Sequence, residues 1–455
     1  MSRTSDMTEG KVSKLILAFF FPMLVTNMLQ QLYSIADTAI VGKGLGDDAL
    51  AAVGNMSSLT FLIIGFSLGL SNGFSVLIAQ SFGAKDYAKM RRTTAASIKL
   101  AAIITIVLTA FSVLFLRSVL KLLQTDSTIM KDSLIYGYII FGGLAAAIAY
   151  NMCSGILRAL GDSRTPLTAI IISTVINIFL DAFFIFVLKT GVEGAAFATV
   201  FAQVISAAVC YSKLRKLDIL RLSREDFSPD VRLSADLLKN GIPMALMNSI
   251  TAVGCMVIQY FVNGLGVAYT SAYSACSKFI NMFMQPACTA GFTMSSFTSQ
   301  NYGAQKYSRI KEALRVCLTI SFIAYLIFGS IMVFFPRQIS ALMLNGSEQI
   351  GLAAQYLPIS GVMLIFVDFL FVFRSGVQGM SYPLIPMCSG ILEMVLRIGV
   401  IIIFVPTTGF TATAWAEAAA WLGAVLLNGV AFLVILRSKT GREKVFRAGK
   451  KLRSA

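Results

Sequence analysis

The chain has 455 residues, of which 56% are hydrophobic and 13% are charged, and its formal net charge is +16. Together with a mean hydropathy of +0.77, this composition excludes an ordinary soluble globular protein. A helix of roughly 20 apolar residues crosses a hydrocarbon core of about 30 Å. The chain is therefore predicted to be an all-α integral membrane protein.

Twelve segments of the sequence are long and apolar enough to span a membrane. They lie near residues 13–41, 50–82, 89–116, 130–160, 165–188, 194–214, 238–263, 268–300, 308–335, 349–378, 383–405 and 410–437. The first segment follows a hydrophilic start and lacks a small-residue cleavage site, so we expect a retained helix and not a signal peptide.

Lys and Arg residues are concentrated on the side of the membrane that carries both termini. The opposite side has few of them, namely Lys43, Arg117, Lys121, Lys131, Lys189 and Arg337. The positive-inside rule therefore predicts that the N- and C-termini are cytoplasmic. We attribute the basic charge to this topology and to contact with anionic membrane lipid, and we expect no nucleic-acid partner.

Several kinds of chemistry have no matching motif in the sequence. The seven Cys residues fall in predicted helices without metal-ligand spacing, and the chain has no His, so proton chemistry must use carboxylates. The sequence contains no GxxxxGK[ST] loop and no group of nucleophile and base. We expect neither an enzyme, nor a complete ATP-driven pump of the P-loop type, nor a cofactor.

An internal duplication relates the two halves of the chain. SQNYGAQKYSRIK at 299–311 resembles AQSFGAKDYAKMR at 79–91, and PMALMN at Pro243 resembles PMLVTN at Pro22. Six spans separate the members of each pair, so both copies have the same orientation in the membrane. Two pseudo-symmetric six-helix bundles are expected, an arrangement that suits alternating access, although a duplication can also be inherited without a function.

The duplication predicts four divisions of the chain. They are an N-terminal six-helix lobe at 1–212, a cytoplasmic linker at 213–237, a C-terminal six-helix lobe at 238–437 and a basic cytoplasmic tail at 438–455.

Two carboxylates lie inside predicted spans of the first half. Asp37 and Asp181 both lie roughly 8 to 11 Å below the outer end of their spans. Tyr33 and Asn177 lie one turn from them, and Thr199 of the sixth span reaches a comparable depth. Two carboxylates close together at low dielectric cannot both stay ionised cheaply, so the pair is predicted to exchange a proton or to hold Na⁺. The alternative is a network that only fixes helix packing.

The second half carries a different set of charged residues inside its predicted spans. Glu393 and Arg397 align in the repeat with Asn177 and Asp181, and we expect them to neutralise each other as an ion pair. Asp368, Lys278, Glu417 and Arg374 complete this set.

Individual predictions can be made for three of these charged residues and for one proline. Asp368 and Lys278 are expected to pair across helices or to line a charged cleft, while Arg374 is expected to reach lipid phosphates. Pro22, fifteen residues before Asp37, should interrupt the hydrogen bonds of the first helix and permit a bend, either as a switch or as a static kink.

Several motifs are spread along nearly the whole chain: IADTAIVGKGLGDDALAAVG, AQSFGAKD, LRALGDSRTP, NIFLDAFFIF, GAAFAT, SQNYGAQK and GVQGM with ILEMVLR. Together they resemble the motifs of the MATE family of multidrug and toxic compound extrusion transporters. The resemblance implies a V of two six-helix lobes in a bacterial inner membrane. It also implies secondary antiport, in which an H⁺ or Na⁺ gradient drives the export of small cationic or amphiphilic substrates. We expect a monomer.

The resemblance also implies roles for individual residues. In DinF-like members, the positions of Asp37, Asn177, Asp181 and Thr199 form an ion-coupling network, and those of Tyr33 and Pro22 take part in bending of the first helix. NorM-like members add a Glu where this chain has Thr251, and an Asp that Asp368 matches. Coupling in the N-terminal lobe is therefore expected, and the C-terminal set is expected to be secondary or substrate-facing: Asp368, Lys278, Glu393, Arg397 and Glu417.

Two other functions are alternatives to antiport. A lipid-linked saccharide flippase of the same superfamily would need a large cationic cavity that binds pyrophosphate, for which Lys278, Arg374 and Arg397 are available. A membrane enzyme or receptor that transports nothing is disfavoured by the duplication and by the lack of catalytic groups.

Overall fold

The computed structural model describes residues 5–122 and 125–454 of the chain. Within those ranges the chain is helical almost throughout, and no β-strand occurs in them. A helix satisfies its own backbone hydrogen bonds, which is what a segment surrounded by hydrocarbon requires. The predicted all-α fold is confirmed.

Fifteen α-helices make up the described part of the chain. They are α1 (Val12–Leu45), α2 (Asp47–Gly83), α3 (Tyr87–Leu122), α4 (Ser127–Gly142), α5 (Leu144–Ala159), α6 (Arg164–Ala182), α7 (Val192–Arg215), α8 (Val231–Leu265), α9 (Val267–Phe283), α10 (Gln285–Gly303), α11 (Tyr307–Phe334), α12 (Pro336–Ser340), α13 (Ser347–Gly379), α14 (Leu384–Thr408) and α15 (Thr411–Ser454). A π-helical turn, Phe183–Val187, continues α6.

Ten helices in the described ranges are long and apolar enough to cross a membrane, and the pair α4 and α5, bent by 44°, makes up to eleven. They coincide with eleven of the twelve predicted spans. The predicted eighth span forms the shorter helices α9 and α10. Helix α10 is less apolar because it buries many polar side chains: Thr289, Thr293, Thr298, Ser299, Gln300 and Asn301.

The described residues divide into two compact units. The first comprises Ser5 and Phe21–Ala245, and the second comprises Asp6–Phe20 and the residues from Leu246 onward. The division within α1 immediately precedes Pro22, and the division within α8 closely follows Pro243. Since proline lacks a backbone N–H, each of these helices loses one internal hydrogen bond beside the division. The predicted lobe boundaries, at residues 212 and 238, stay predictions.

The segment between α7 and α8 packs against the first unit. Its residues Leu217 and Leu220 are buried in one apolar cluster with Met90 of α3 and Leu157 of α5. Two short 3-10 turns, Asp218–Leu220 and Glu225–Phe227, shape the segment. The predicted linker is therefore packed as part of the first unit and is not an extended tether.

Asp226 holds the second half of this segment in place through hydrogen bonds and proximity to an arginine of α3. It accepts hydrogen bonds from the backbone N–H of Ser223 over 2.8 Å and from the Ser223 hydroxyl over 2.9 Å. Arg91 Nε of α3 lies 3.8 Å from Asp226 Oδ2. The Ser223 N–H, with this arginine nearby, holds the pKa of the Asp226 carboxyl below its usual range.

In the second unit, the start of the chain docks on α10 and α11. The backbone N–H of Met7 donates to Gln300 Oε1 over 2.9 Å, and Arg309 donates to the Met7 carbonyl over 3.1 Å. Lys306 Nζ donates to the Thr8 carbonyl over 2.9 Å. Met7 itself is buried, so the short segment around Met7 and Thr8 belongs to the packed structure.

Candidate functional site

The first unit brings together five of the predicted site residues. Helix α1 supplies Tyr33 and Asp37, α6 supplies Asn177 and Asp181, and α7 supplies Thr199. The carboxyl groups of Asp37 and Asp181 approach each other within hydrogen-bonding range. Asp181 is fully buried and Asp37 is partly buried. The structure brings the two carboxyl groups together, and an ion-coupling role for them stays a prediction.

Asn177 orients the Asp181 side of this pair. Its amide nitrogen donates to Asp181 Oδ2 over 2.7 Å, and its amide oxygen accepts from the backbone N–H of Thr199 over 3.2 Å. The Tyr33 hydroxyl donates to Thr199 Oγ1 over 3.3 Å. Helices α1, α6 and α7 are thus joined by one continuous set of polar contacts.

The sequence of α6 explains why an acid is stable inside this helix. Ser173, Asn177 and Asp181 recur every four residues and are buried on one face, because residues four apart are neighbours on a helix. Val175 and Phe179 lie on the other face and are 65% and 68% exposed. The α-helix changes to a π-helical turn two residues after Asp181, a feature that often accompanies functional sites.

The donors and acceptors of this pocket suit a proton or a small cation. Asp37 Oδ1 and Asp181 Oδ1 are buried, and neither has a hydrogen-bond partner among the described residues. The parts of the chain that the structure describes contain no group of three or more His, Cys, Asp or Glu placed to hold a metal ion. A cation here would therefore bind two carboxylates and neutral oxygen atoms.

Further residues of the site were missed by the sequence reasoning. Tyr136 of α4 lies close enough to Tyr33, Asp37 and Asp181 to interact with them electrostatically. A cavity of about 160 Å³ lies next to Tyr33; its polar lining includes Gln30, Tyr150, Asn151, Ser173, Gln203 and Ser206. Helical spacing could have identified Gln30 and Ser173, which lie one turn before Tyr33 and Asn177, but nothing in the sequence points to Tyr136.

Pro22 lies within an uninterrupted α1. Its carbonyl accepts a hydrogen bond from Thr26 Oγ1 over 2.8 Å, and it cannot donate to the carbonyl of Ala18. The predicted interruption of the backbone hydrogen bonds of α1 is present, and a switching role for Pro22 stays a prediction.

The second unit contains a buried network of four charged residues. Arg374 of α13 pairs with Glu393 of α14. Arg397 Nη2 lies 3.7 Å from Glu393 Oε2 and 2.9 Å from Glu417 Oε2 of α15. The expected contact between Glu393 and Arg397 is present, and two partners that were not predicted, Arg374 and Glu417, complete it. The four formal charges cancel.

The expectation for Arg374 was wrong. The residue is only 8% exposed and its side chain contacts Glu393, so it does not extend toward lipid phosphates. Ionising a buried glutamate without a partner is costly, and an arginine one helix away offsets part of that cost. Sequence position alone suggested a residue near a helix end.

Asp368 and Lys278 do not form an ion pair in the described structure. Asp368 is fully buried, and neither of its carboxyl oxygens has a hydrogen-bond partner there. Lys278 shares an exposed face of α9 with Ser274, while Phe279 and Ile280 beside it are buried. A role for Lys278 in lining a charged cleft stays a prediction.

Gly254 of α8 gives Arg397 the room it needs. A Cβ at position 254 would lie 2.8 Å from Arg397 Nη1. The helix backbone therefore approaches the guanidinium group more closely than any other residue would allow.

The repeated plan of the chain also identifies its family. The family model described as MatE matches the chain twice, over residues 22–183 and 243–403. The chain belongs to the MATE family. The two matches begin at Pro22 and Pro243, so the MATE unit is the duplicated element that the sequence motifs predicted.

Other MATE proteins cover nearly the same length. A probable multidrug resistance protein of Bacillus subtilis, YoeA, is 29% identical over 78% of this chain and 79% of its own. A second probable multidrug resistance protein of the same organism, YpnP, is 28% identical over 92% of this chain and 91% of its own. A solved outward-facing MATE transporter of the MOP superfamily has a TM-score of 0.90 at 22% identity, over 97% of this chain and 99% of that one.

Membership of the MATE family settles the general class of the protein. The solved relative confirms the predicted fold. MATE proteins are multi-pass membrane transporters that need no cofactor, and they are not enzymes. The reading as a membrane enzyme or receptor is therefore excluded.

Proposed function

We propose that this MATE protein is a secondary antiporter that exports small cationic or amphiphilic drugs in exchange for H⁺. The observation that carries this proposal is the approach of the Asp37 and Asp181 carboxyl groups within hydrogen-bonding range inside the first unit. We place the protein as a monomer in a bacterial inner membrane, with both termini in the cytoplasm. The names of its B. subtilis relatives support drugs as the substrates.

The carboxyl contact favours H⁺ over Na⁺. An ionised carboxylate can only accept hydrogen bonds. A hydrogen bond between two carboxyl groups therefore requires one of the two groups to be protonated. Asn177 contacts Asp181 with an amide nitrogen, a hydrogen bond that an anionic or proton-sharing carboxyl group accepts. Na⁺ bound between Asp37 and Asp181 is the second candidate.

Exchange of H⁺ for substrate then follows from the charge of the Asp37 and Asp181 pair. With one proton, Asp37 and Asp181 attract each other and hold α1 against α6. Without it, two negative charges face each other at low dielectric and repel. Release of the proton therefore pushes the Asp37 segment of α1 away from α6, and the missing hydrogen bond at Pro22 makes α1 easier to bend. This is a DinF-like arrangement, with coupling in the N-terminal half.

The charged network of the second unit has a different proposed role. Arg374, Glu393, Arg397 and Glu417 neutralise one another, so they stabilise the packing of α13, α14 and α15. Asp368 has no such partner in the described structure. Because it is fully buried there, a substrate-facing role requires the helices around it to move apart.

The same contacts disfavour a lipid-linked saccharide flippase. Binding of pyrophosphate needs arginine or lysine groups that are free to form bidentate hydrogen bonds. Arg374 and Arg397 already contact buried glutamates. Of the three basic residues considered for this function, that leaves Lys278.

Transport in proteoliposomes tests the proposal. Purified full-length protein is reconstituted, and movement of the fluorescent cation ethidium is followed under an imposed pH gradient and, separately, under an imposed Na⁺ gradient. The proposal expects transport under the pH gradient alone. Transport under the Na⁺ gradient alone would move the assignment to Na⁺, and ethidium transport under neither gradient would contradict drug antiport.

A further inference from the structure

A second and larger cavity lies in the first unit, lined by none of the predicted site residues. It is a groove of about 930 Å³ between α3, α5 and α7. Its lining comes from α3, α5 and α7 and from the segment after α7, which contributes Leu217, Leu220 and Leu222. The proposed antiport mechanism uses none of these surfaces.

Small side chains keep the groove open. Ala145 and Ala149 lie one turn apart on α5 and are both exposed, and they face the groove together with Ala101 and Ala102 of α3. With alanine at these positions, α3 and α5 leave an apolar channel between them. A larger residue at Ala149 would fill that channel.

The groove opens toward the surroundings of the helices. Three of its lining residues are exposed, Ile98 by 40%, Ile106 by 69% and Tyr211 by 59%, so the groove is accessible from outside the helices. The lining runs from Thr94 to Ile106 along α3, a rise of roughly 18 Å. This length is close to one leaflet, or about half of a 30 Å hydrocarbon core.

The interior of the groove is suited to hydrocarbon. Its two threonine hydroxyls each donate to a carbonyl of their own helix, Thr94 to Met90 over 2.9 Å and Thr105 to Ala101 over 2.6 Å. Most of the other lining residues along α3 and α5 are aliphatic. An acyl chain can occupy such a channel without leaving a hydrogen bond unsatisfied, whereas a peptide backbone could not.

The end of the groove next to the linker is positively charged. Arg215 and Arg221 both line it and are exposed, and Asp218 is the acidic residue of that lining. Arginine binds phosphate through paired hydrogen bonds, and Tyr211 at the same end is of the type that lies at membrane interfaces. Both guanidinium groups thus lie at the end of an apolar channel one leaflet long.

We infer that this groove binds an anionic phospholipid from the leaflet on the linker side. One acyl chain lies along α5 between α3 and α7, and the phosphate is held by Arg215 and Arg221. The net positive charge at this end selects anionic over zwitterionic headgroups. The bound lipid then packs the linker segment against the membrane-embedded helices.

Lipid retention by the intact protein tests this inference. The full chain is purified in mixed micelles that hold equal amounts of phosphatidylglycerol and phosphatidylcholine, and bound lipid is counted by native mass spectrometry. Wild-type protein should retain phosphatidylglycerol in preference. The double variant R215Q/R221Q should lower that retention at least five-fold, as expected from the loss of even one basic group near an anionic headgroup. The matched variant K216Q/R224Q removes two exposed linker cations that do not line the groove and should retain lipid as the wild type does.

Three further experiments separate the possible occupants. A149F, which fills the channel at an exposed position, should lower retention of both lipids while the protein keeps its melting temperature. Equal retention of the two lipids, or unchanged retention in R215Q/R221Q, would overturn the inference. So would full displacement of the lipid by inorganic phosphate, which would indicate an anion site without an acyl channel, or labelling of the groove by a photoreactive drug cation in place of lipid.

Discussion

The Arg397 guanidinium lies 2.9 Å from the Glu417 carboxylate, at the repeat position that Asp181 occupies in the first half. Glu393, its neighbour in this network, aligns with Asn177. One copy of the duplicated unit thus carries a charge-balanced network at this place, and the other carries an acidic pair with an amide. We therefore expect ion exchange to depend on the first unit and folding stability to depend strongly on the second.

Removing one member of the balanced network should destabilise the protein. E417Q leaves Arg397 with Glu393 at 3.7 Å as its remaining carboxylate, so we expect a loss of about 3 kcal/mol, at the lower end of the range for breaking a buried ion pair. The measurement is thermal unfolding in detergent. E312Q changes an exposed glutamate of α11 and is the control. Equal melting temperatures for the two variants would count against a structural network.

Gly254 and Gly399 should respond in opposite directions to alanine. A Cβ at 254 would lie 2.8 Å from Arg397 Nη1, whereas one at 399 has nothing within 4 Å. G254A should therefore destabilise by about 1 to 3 kcal/mol through overpacking, and G399A should stabilise by up to about 1 kcal/mol because alanine favours a helix. Thermal unfolding of both variants checks this, and a stable G254A would show that Arg397 has room to move.

Tyr33 and Thr199 should act as one unit. Their hydroxyl groups are 3.3 Å apart, so Y33F and T199V each remove the same hydrogen bond, worth about 0.5 to 1.5 kcal/mol. Transport should fall about two- to ten-fold in either variant, and the double variant should be no worse than the stronger single one. Rate losses that simply multiply in the double variant would refute the coupling.

The linker segment should loosen in acid. The pKa of Asp226 is lowered in the folded protein, chiefly by the Ser223 N–H, so its contribution to stability is present above the unfolded pKa of about 3.9. Asp226 loses this contribution to stability as the pH falls from the unfolded pKa through the lower pKa of the folded protein. D226N should mimic the acidic state at pH 7. Amide hydrogen exchange of residues 221–228 measures this loosening of the linker segment. D230N, which removes a nearby exposed acid, is the control. Unchanged protection of these residues in D226N would contradict the prediction.

The site of the first unit could largely be predicted because its members follow helical spacing. Asn177 lies four residues before Asp181, and Tyr33 four before Asp37, so depth and face follow from the sequence alone. That α1 and α6 are neighbours came from similar depth and from the family resemblance. Tyr136 was missed because it belongs to α4, and no periodicity in the sequence relates α4 to either helix.

The second unit was harder to predict because its partners lie on different helices. The pair Glu393 and Arg397 is visible as a four-residue spacing, but Arg374 and Glu417 join it from α13 and α15. Which buried arginine meets which glutamate depends on helix packing, which the sequence does not encode locally. The same limit applies to Lys278, whose exposed face on α9 becomes clear only from its buried neighbours.

The central claim is that the Asp37 and Asp181 pair carries the coupling ion. Its most direct test is ethidium transport driven by a pH gradient in proteoliposomes that contain D37N, D181N or the matched control D236N, which changes an exposed acid at the start of α8. The account predicts that D37N and D181N each lose at least ten-fold in rate while D236N matches the wild type. Wild-type rates in both D37N and D181N, in protein that is folded and correctly inserted, would contradict it.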